Sequence, residues 1–306
     1  MPVSPNPAAT TQPFAAPNVA ASNALPLLVV ALAAASFVGM DSVIKLLAVR
    51  YDTLQLSFFR FAGGCVFALP LWLWRRTPLP SSRAAWRLHF VRSALLLFSL
   101  VGYFHALTQL PLALAVTISY LAPIFVAVLS VPLLKERPSR SIWLALAAGL
   151  LGVSISVWPE LAGGPGGVST ARLIGMASAA AAALAFAGVL LMARRMAQRD
   201  SIWTILAIQS ALPMVLLAAP AAFHWRAVAV GDLSLILLAG GLGTLGLLAI
   251  TWAFTRLEAS RLAPMEYTSF VWAAVLGYLL FGEVPTLTTA ASALLIVGGC
   301  LLLLRR

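Results

Sequence analysis

The sequence predicts an all-α membrane protein with ten transmembrane helices, arranged as two inverted five-helix repeats, with the N-terminus and the C-terminus both cytoplasmic. Three observations support this fold class: the composition, the placement of the basic residues and an internal repeat. Of the 306 residues, 61% are hydrophobic and 9% are charged, whereas soluble domains carry about 25% charged residues. The long Leu/Ala runs lack the alternation of a transmembrane β-barrel, and one spanning helix needs about 20 mostly apolar residues.

Ten apolar segments follow an uncharged tail, residues 1–23, which is predicted to be disordered. The tail lacks the basic region that opens a secretory signal, so the first helix is expected to be retained. Residues 24–160 are predicted to form the first five-helix repeat and residues 170–306 the second. The ten segments are Leu25–Leu47, Leu54–Trp74, Leu88–Leu110, Leu112–Leu134, Ile142–Val157, Leu173–Ala193, Ile202–Ala222, Leu233–Phe254, Leu262–Phe281 and Leu287–Leu304.

The Lys and Arg residues predict the orientation, because basic loops are retained on the cytoplasmic side. With the N-terminus inside, fourteen of the twenty basic residues fall on the cytoplasmic side and only three, Arg50, Arg172 and Arg226, fall outside. The fourteen are Arg75, Arg76, Arg83, Arg87, Lys135, Arg137, Arg140, Arg194, Arg195, Arg199, Arg256, Arg261, Arg305 and Arg306. The net charge of +11 therefore reflects topology, and no nucleic-acid partner is expected.

An internal repeat relates the two halves of the chain. A shift of 147 residues places Tyr120 over Tyr267 and Gly152 over Gly299. A shift of 149 residues places Phe37 and Gly39 over their counterparts in the second half. Because five helices is an odd number, the second repeat crosses the membrane in the opposite sense, as in secondary transporters whose binding site lies near the repeat interface.

The third to fifth segments carry the most specific pattern. Its parts are Ala106-Leu107-Thr108, then Pro123, then Glu136-Arg137-Pro138, then a helix with Gly149 and Gly152, and Arg60-Phe61 precedes them in the second segment. With these residues the chain resembles the drug/metabolite transporter superfamily, and within it the ten-helix EamA family, over Leu25 to Arg306. Val284 departs from the pattern in the second half.

This resemblance implies a multi-pass protein of the bacterial inner membrane that exports small metabolites by alternating access. One branch of the family exports aromatic and other neutral amino acids, and the chain looks similar to it. The resemblance implies that helices 1, 3, 6 and 8, with faces of 4 and 9, line the cavity, and that helices 5 and 10 act as scaffold. A drug or other metabolite exporter of the same fold is the first alternative.

Several motifs have a structural interpretation instead of a catalytic one. The Gly-x-Gly-x-x-Gly pattern over Gly241–Gly246 lies inside an apolar helix, where glycines permit close packing, not between a strand and a helix as a dinucleotide site requires. Ser42–Lys45 matches Ser-x-x-Lys without the partner motifs of that enzyme class. Cys65 and Cys300 lie in apolar runs as small packing residues. The chain is therefore expected to be no enzyme and to need no cofactor or metal.

Two arginines lie within the predicted spans, where ionisable groups are functional candidates by default. Arg60 either contacts an anion or acts in gating, or it pairs with Asp41, Asp52 or a backbone carbonyl. Arg92 is expected to extend to the inner headgroups. Few fixed charges are therefore expected in the cavity, which favours a neutral or zwitterionic solute over a phosphorylated one.

An acidic residue and a histidine are the other intramembrane candidates. Glu266 either binds a substrate ammonium or carries a coupling proton, or it pairs with Arg261 or Arg256 near the cytoplasmic face. His105 either titrates near neutral pH or stays neutral and hydrogen-bonded. Proton coupling is thus a possibility that the sequence leaves open.

The repeat suggests two symmetry-related gates flanking a central cavity. Helices 3 and 4 are predicted to meet at the outer side and helices 8 and 9 at the inner side. The outer gate would comprise Tyr103, His105 and Tyr120, and the inner gate Trp252, Glu266 and Tyr267. Trp272, in mid-span, is a further candidate for stacking on an aromatic solute. The alternative is that these aromatic side chains face lipid or fill the core.

Two prolines are predicted to kink helices, because proline removes a backbone hydrogen bond. They are Pro123 in helix 4 and Pro213 in helix 7. Together these features predict a secondary transporter of a small solute in the lipid bilayer, for which an oligomer is not required. The rival classes are a membrane-embedded enzyme acting on lipid-linked substrates and a passive channel.

Overall fold

The computed structural model describes residues 19–109, 118–162, 170–223, 225–282 and 287–304. Within these ranges every regular element is a helix. The α-helices are α1 (Val19–Leu47), α2 (Thr53–Arg75), α3 (Arg83–Gln109), α4 (Ala122–Leu134), α5 (Arg140–Ala162), α6 (Thr170–Ala197), α7 (Ile202–Ala222), α8 (Leu233–Phe254), α9 (Ala259–Leu262), α10 (Thr268–Phe281) and α11 (Leu287–Leu304). Short 3₁₀ turns precede α8 at Val230–Asp232 and join α9 to α10 at Ala263–Tyr267.

Six of the helices are long and apolar enough to cross a membrane: α1, α2, α3, α6, α7 and α8. The predicted bounds of α7, α8 and α11 agree with the structure at both ends. Helix α1 begins at Val19, inside the segment that was predicted as a disordered tail, and residues 1–18 lie outside the described ranges. The predicted Leu110–Pro111 turn also lies outside them.

Most of the helix packing is symmetric under exchange of the two halves of the chain. Helix α3 packs on α6 as α1 packs on α8, and α4 packs on α6 as α1 packs on α10. Helices α2 and α7 pack on each other, as do α5 and α11, and each of these pairs joins a helix to its counterpart. The exception is α2, which packs more extensively on α8 than its counterpart α7 packs on α3. The core lies where these pairs meet, and it includes Leu146, Met196 and Ile205, all fully buried.

Small residues at equivalent positions set the helix separations. A Cβ atom added to Gly39 of α1 would lie 3.4 Å from Leu242 of α8, and one added to Gly188 of α6 would lie 3.4 Å from Leu95 of α3. The tightest approach joins α2 and α8, where a Cβ atom on Gly240 would lie only 2.2 Å from the carbonyl carbon of Gly63. The backbones therefore touch with no side chain between them.

The fourth and ninth predicted segments are discontinuous at the same repeat position. The fourth segment changes from helix to a turn at Tyr120 and Leu121, where the Leu121 N–H donates to the Ile118 carbonyl, before α4 begins at Ala122. The ninth segment changes from α9 to a 3₁₀ turn over Ala263–Tyr267 before α10 begins. Discontinuous helices are typical of transporter binding sites, because the interrupted backbone exposes polar groups near the midplane.

A polar cluster ties the α1–α2 loop to the α7–α8 connection, at what we term the first end of the bundle. Arg50 Nη1 and the Tyr51 hydroxyl donate to the two oxygens of Asp232, each at 2.7 Å. Beside them Gln55 donates to the backbone carbonyl of Arg226 and accepts from its N–H. Four side chains thus join loops that are far apart in sequence.

An equivalent cluster lies at the second end of the bundle, between the α2–α3 and α6–α7 loops. Thr204 Oγ1, in the first turn of α7, donates to the Pro78 carbonyl at 3.0 Å. His89 Nε2 lies 3.1 Å from Asp200 Oδ2. The α2–α3 loop is the repeat counterpart of the α7–α8 connection, and the α6–α7 loop is that of the α1–α2 loop. Equivalent connections are therefore joined at both ends of the bundle, but by different side chains.

Glu136 adds a third polar junction at the second end. Its buried carboxylate accepts from the backbone N–H groups of Ala259 and Ser260, each at 2.9 Å, in the first turn of α9. Arg194 Nε lies 3.7 Å from the same carboxylate, and its Nη1 donates to the Phe254 carbonyl. The loop after α4 is thereby tied to the beginning of the ninth segment.

Candidate functional site

A central cavity of about 720 Å³ opens between the two halves of the bundle. Its volume falls in the range of small-molecule sites, about 300–1,000 Å³. Helices α1, α2, α3, α6, α7 and α8 line it, together with the two interruptions, the beginning of α4 and α10 from Ser269 to Gly277. These include the helices that the family resemblance implied, with α2 and α7 in addition.

Charged side chains line this cavity, which corrects the expectation of few fixed charges. They are Asp41, Lys45, Arg60, Arg92 and Glu266. Asp41 and Arg60 lie close enough to interact electrostatically, and a direct pairing of the two side chains stays a prediction. The cavity therefore offers both signs of charge to a solute.

Arg92 does not extend to the headgroups, and that prediction is wrong. The side chain is only 4% exposed, and its Nε donates to the Val189 carbonyl of α6 at 3.1 Å. The physical reason is the rotational position of α3, which turns this residue toward α6. A residue near the basic end of a helix can extend either to the headgroups or into the bundle, so the sequence position of Arg92 allows both.

Tyr120 and Tyr267 lie against each other, so they cannot belong to two separate gates. Their rings stack with centroids 5.5 Å apart and an angle of 29°, and the Tyr267 hydroxyl donates to the Tyr120 carbonyl. The helix interruptions bring both residues to one place near the centre of the bundle. Tyr120 lines the cavity and also lies 3.2 Å from Ser269 Oγ, whereas Tyr267 is fully buried behind it.

The other predicted gate residues are divided between the cavity wall and positions away from it. Tyr103 and Glu266 line the cavity. His105 is exposed on α3. Trp252 is half-buried, and the Arg256 guanidinium lies 3.7 Å from its ring centroid. Trp272 donates its Nε1 to the Ala31 carbonyl, and none of these last three side chains is in the cavity wall.

The two prolines occupy different positions in their helices. Pro123 lies in the first turn of α4, where a missing N–H costs nothing, so the interruption precedes the proline instead of following from it. Pro213 lies within α7, which is continuous. A proline at this position cannot donate to the carbonyl of Gln209, four residues earlier, and Gln209 lines the cavity.

Sequence reasoning missed Asp41 and Gln209 as cavity residues. Asp41 was considered only as a partner of Arg60, and Gln209 was not considered. Both were detectable, because each is a polar side chain in the middle of an apolar run. Gln209 also precedes Pro213 by four residues, the spacing at which a carbonyl is freed.

The two motifs that resemble enzyme motifs have structural positions: the glycines of Gly241–Gly246 pack against other helices, and Ser42 and Lys45 line the cavity. A Cβ atom on Gly243 would lie 2.9 Å from Met40 Sδ, and one on Gly246 would lie 2.9 Å from the Phe37 ring, which agrees with the interpretation as packing glycines. Ser42 Oγ donates to the Val38 carbonyl of its own helix. Within the described ranges no group of three or more His, Cys, Asp and Glu residues could hold a metal ion.

The helices, the membrane-spanning lengths and the charged central cavity together define a multi-pass membrane protein of the transporter class. The model of the EamA-like transporter family matches residues 24–158 and again residues 173–305. The chain therefore belongs to the EamA-like transporter family, and the resemblance seen in the sequence is confirmed.

Relatives with known names match most of the chain. An S-adenosylmethionine uptake transporter of Rickettsia bellii is 26% identical over 265 residues, which is 86% of this chain and 88% of that protein. The pseudopaline exporter CntI of Pseudomonas aeruginosa is 28% identical over 283 residues, 91% of this chain and 95% of that protein. A solved crystal structure superimposes with a TM-score of 0.75 at 23% identity, over 92% of this chain and 96% of that chain, and shares the fold.

Proposed function

We propose that the protein is a secondary transporter of the bacterial inner membrane that exports a small zwitterionic solute, with amino acids, aromatic ones included, as the substrate class. The observation that carries the proposal is the central cavity, whose wall holds the carboxylates of Asp41 and Glu266 and the guanidinium groups of Arg60 and Arg92. A solute with an ammonium and a carboxylate matches both signs of charge.

Aromatic and apolar wall residues support the choice of an amino acid with an apolar body. Tyr103, Tyr120, Phe37 and Phe186 line the cavity, and such rings pack against apolar side chains. The name of the Rickettsia relative supports the same class, because S-adenosylmethionine is itself an amino-acid derivative.

The proposed mechanism is alternating access by two five-helix repeats, residues 24–160 and 170–306, with both termini cytoplasmic. The exchange symmetry of the helix contacts and the two family matches support two repeats. In this mechanism the repeats rock around the cavity and expose it to each side in turn. The interruptions beside Tyr120 and Tyr267 would lie at the centre of that motion.

Counterflow in proteoliposomes tests this function. Liposomes containing the purified protein and preloaded with unlabelled L-tryptophan should accumulate labelled L-tryptophan faster than empty liposomes, and the rate should saturate. L-Phenylalanine and S-adenosylmethionine complete the panel. If no member moves faster than in empty liposomes, the proposed substrate class is wrong, and non-saturable flux would identify a channel.

Two variants and one control test the role of the cavity. Glu266→Gln and Asp41→Asn each remove a cavity charge and should reduce counterflow. Glu258→Gln removes an exposed carboxylate outside the cavity and should leave counterflow unchanged.

The direction of transport is measured by comparing inside-out with right-side-out vesicles. This test is needed because one relative is named for uptake and another for export. A pH gradient that drives accumulation would indicate proton coupling, and one without effect would indicate facilitated diffusion.

A further inference from the structure

Within the part of the chain that the structure describes, two hydrogen-bond donors in the cavity wall have no acceptor. Arg92 is 4% exposed and Gln209 is 3% exposed, and both side chains line the cavity. The Arg92 Nη1 and Gln209 Nε2 atoms are buried, and neither has a hydrogen-bond partner among the described residues. The residues lie on α3 and α7, which pack against each other.

Such donors are costly to a protein unless an acceptor reaches them. A buried unpaired donor loses its hydration without compensation, and the loss is larger for a charged group. Most buried polar groups in native proteins are satisfied, so an exception calls for an explanation. Both side chains line the cavity, so a solute bound there can bring an acceptor to them.

The two cavity arginines differ in what surrounds them. Arg60 lies near the carboxylate of Asp41. Arg92 is held through its Nε by the Val189 carbonyl, and in the described part of the chain it forms no ion pair with an acidic side chain. A guanidinium anchored at Nε presents its remaining N–H groups as a planar fork, which suits a carboxylate.

The position along the helices also separates this pair from Arg60. Arg92 and Gln209 lie nine and seven residues from the beginnings of α3 and α7, roughly 10–14 Å from the second end of the bundle at 1.5 Å per residue. Arg60 lies seven residues from the beginning of α2, about 10 Å from the first end. The donor pair therefore forms a distinct part of the wall.

We propose that Arg92 and Gln209 form the subsite for the solute's carboxylate. This inference rests on the proposed function. It predicts that the protein discriminates an amino acid from the matching amine, which lacks the carboxylate. A bound carboxylate accepts from the Arg92 fork and from the Gln209 amide, and so satisfies the two donors that lack partners without it.

The first experiment compares L-phenylalanine with phenethylamine, which lacks the carboxylate, as competitors of tryptophan counterflow. The wild type should prefer phenylalanine by roughly 10- to 100-fold, the worth of a charge-assisted hydrogen bond. In Arg92→Gln the ratio should fall toward one. Arg87→Gln, an exposed arginine on the same helix, is the matched control and should keep the wild-type ratio.

Gln209→Leu keeps the experiment decisive if Arg92→Gln fails to fold. Because it removes an unpaired buried donor, the purified variant without ligand should melt at or above the wild-type temperature. It should nevertheless lose preference for phenylalanine. A merely structural role would move stability and selectivity together, so a variant that folds with an unchanged ratio overturns the subsite.

A binding measurement separates this inference from the transport proposal. The probe is 3-phenylpropionate, which carries the carboxylate without the amine, and the readout is the melting temperature of the full chain in detergent. Stabilisation of the wild type and Arg87→Gln, but not of Arg92→Gln or Gln209→Leu, supports the subsite even if no amino acid is transported. Transport with an unchanged ratio in the variants overturns the subsite alone, and absence of both flux and stabilisation overturns both proposals.

Discussion

Replacement of Gly240 by Ala should separate α2 from α8. The added Cβ atom would lie 2.2 Å from the Gly63 carbonyl carbon, 2.5 Å from its Cα and 2.6 Å from the Gly64 nitrogen. Carbon atoms in contact are normally about 3.5–4.0 Å apart, so the helices must move apart by roughly 1 Å or more. All three neighbours are backbone atoms, so no side-chain rotation can relieve the clash.

The magnitude follows from two opposing contributions. Overpacking costs about 1–3 kcal/mol, and the better helix propensity of Ala over Gly returns about 1 kcal/mol. A radial gap of about 0.5–1 Å also loses a quarter to a half of the dispersion energy along the contact. The expected net destabilisation is about 1–2 kcal/mol, or roughly 2–8 °C in Tm for a chain of this size.

The assay is thermal unfolding of the purified protein in detergent, followed by tryptophan fluorescence and gel filtration. Gly298→Ala is the matched control, because a Cβ atom there meets nothing within 4 Å. It should melt at or slightly above the wild-type temperature. If Gly240→Ala melts as high as Gly298→Ala, the close approach of the two backbones is not a constraint and the reasoning is wrong.

Three further changes test the polar contacts. Glu136→Ala removes the acceptor of two backbone N–H groups of α9 and should lower the free energy of unfolding by about 1.5–3 kcal/mol. Glu136→Gln keeps one acceptor oxygen and should be destabilised less. Equal melting temperatures of the two variants would contradict this role of the carboxylate. Tyr267→Phe keeps the ring stacked on Tyr120 but removes one hydroxyl donor, so a thermal shift should report a loss of about 1 kcal/mol. Asp232→Asn removes the charge that Arg50 and Tyr51 share. Because Arg50 is 63% exposed, the ionic part should be only about 0.2–1 kcal/mol and should shrink in high salt.

Hydropathy and charge predicted the helices well, because burial in a bilayer is a property of whole segments. The bounds of α7, α8 and α11 were read correctly from apolar runs and the polar residues that end them. The interruptions of the fourth and ninth segments were not predicted. Pro264 marks one of them and Pro123 follows the other, so proline on its own does not give the position of the break.

The cavity wall was harder to predict, because periodicity does not tell which face of a nearly uniform apolar helix meets which neighbour. Tyr103, Tyr120 and Glu266 were predicted at or beside the cavity and line it. Arg92 was assigned to the headgroups because its height along α3 allowed that, and only the packing of α3 on α6 places it inside. Trp252 and Trp272 were selected for their aromatic rings, but packing turns each of them away from the cavity.

The two ends of the bundle are joined at equivalent places by unlike chemistry. At the first end a carboxylate is shared between a phenol and a guanidinium, and at the second an imidazole meets a carboxylate. In the proposed carrier, the relative free energies of opening the two ends determine which conformation is populated at rest. Those energies belong to residues at the two ends of the bundle, outside the cavity wall. The resting orientation and the substrate preference are therefore separable traits, which evolution or an engineer can adjust one at a time.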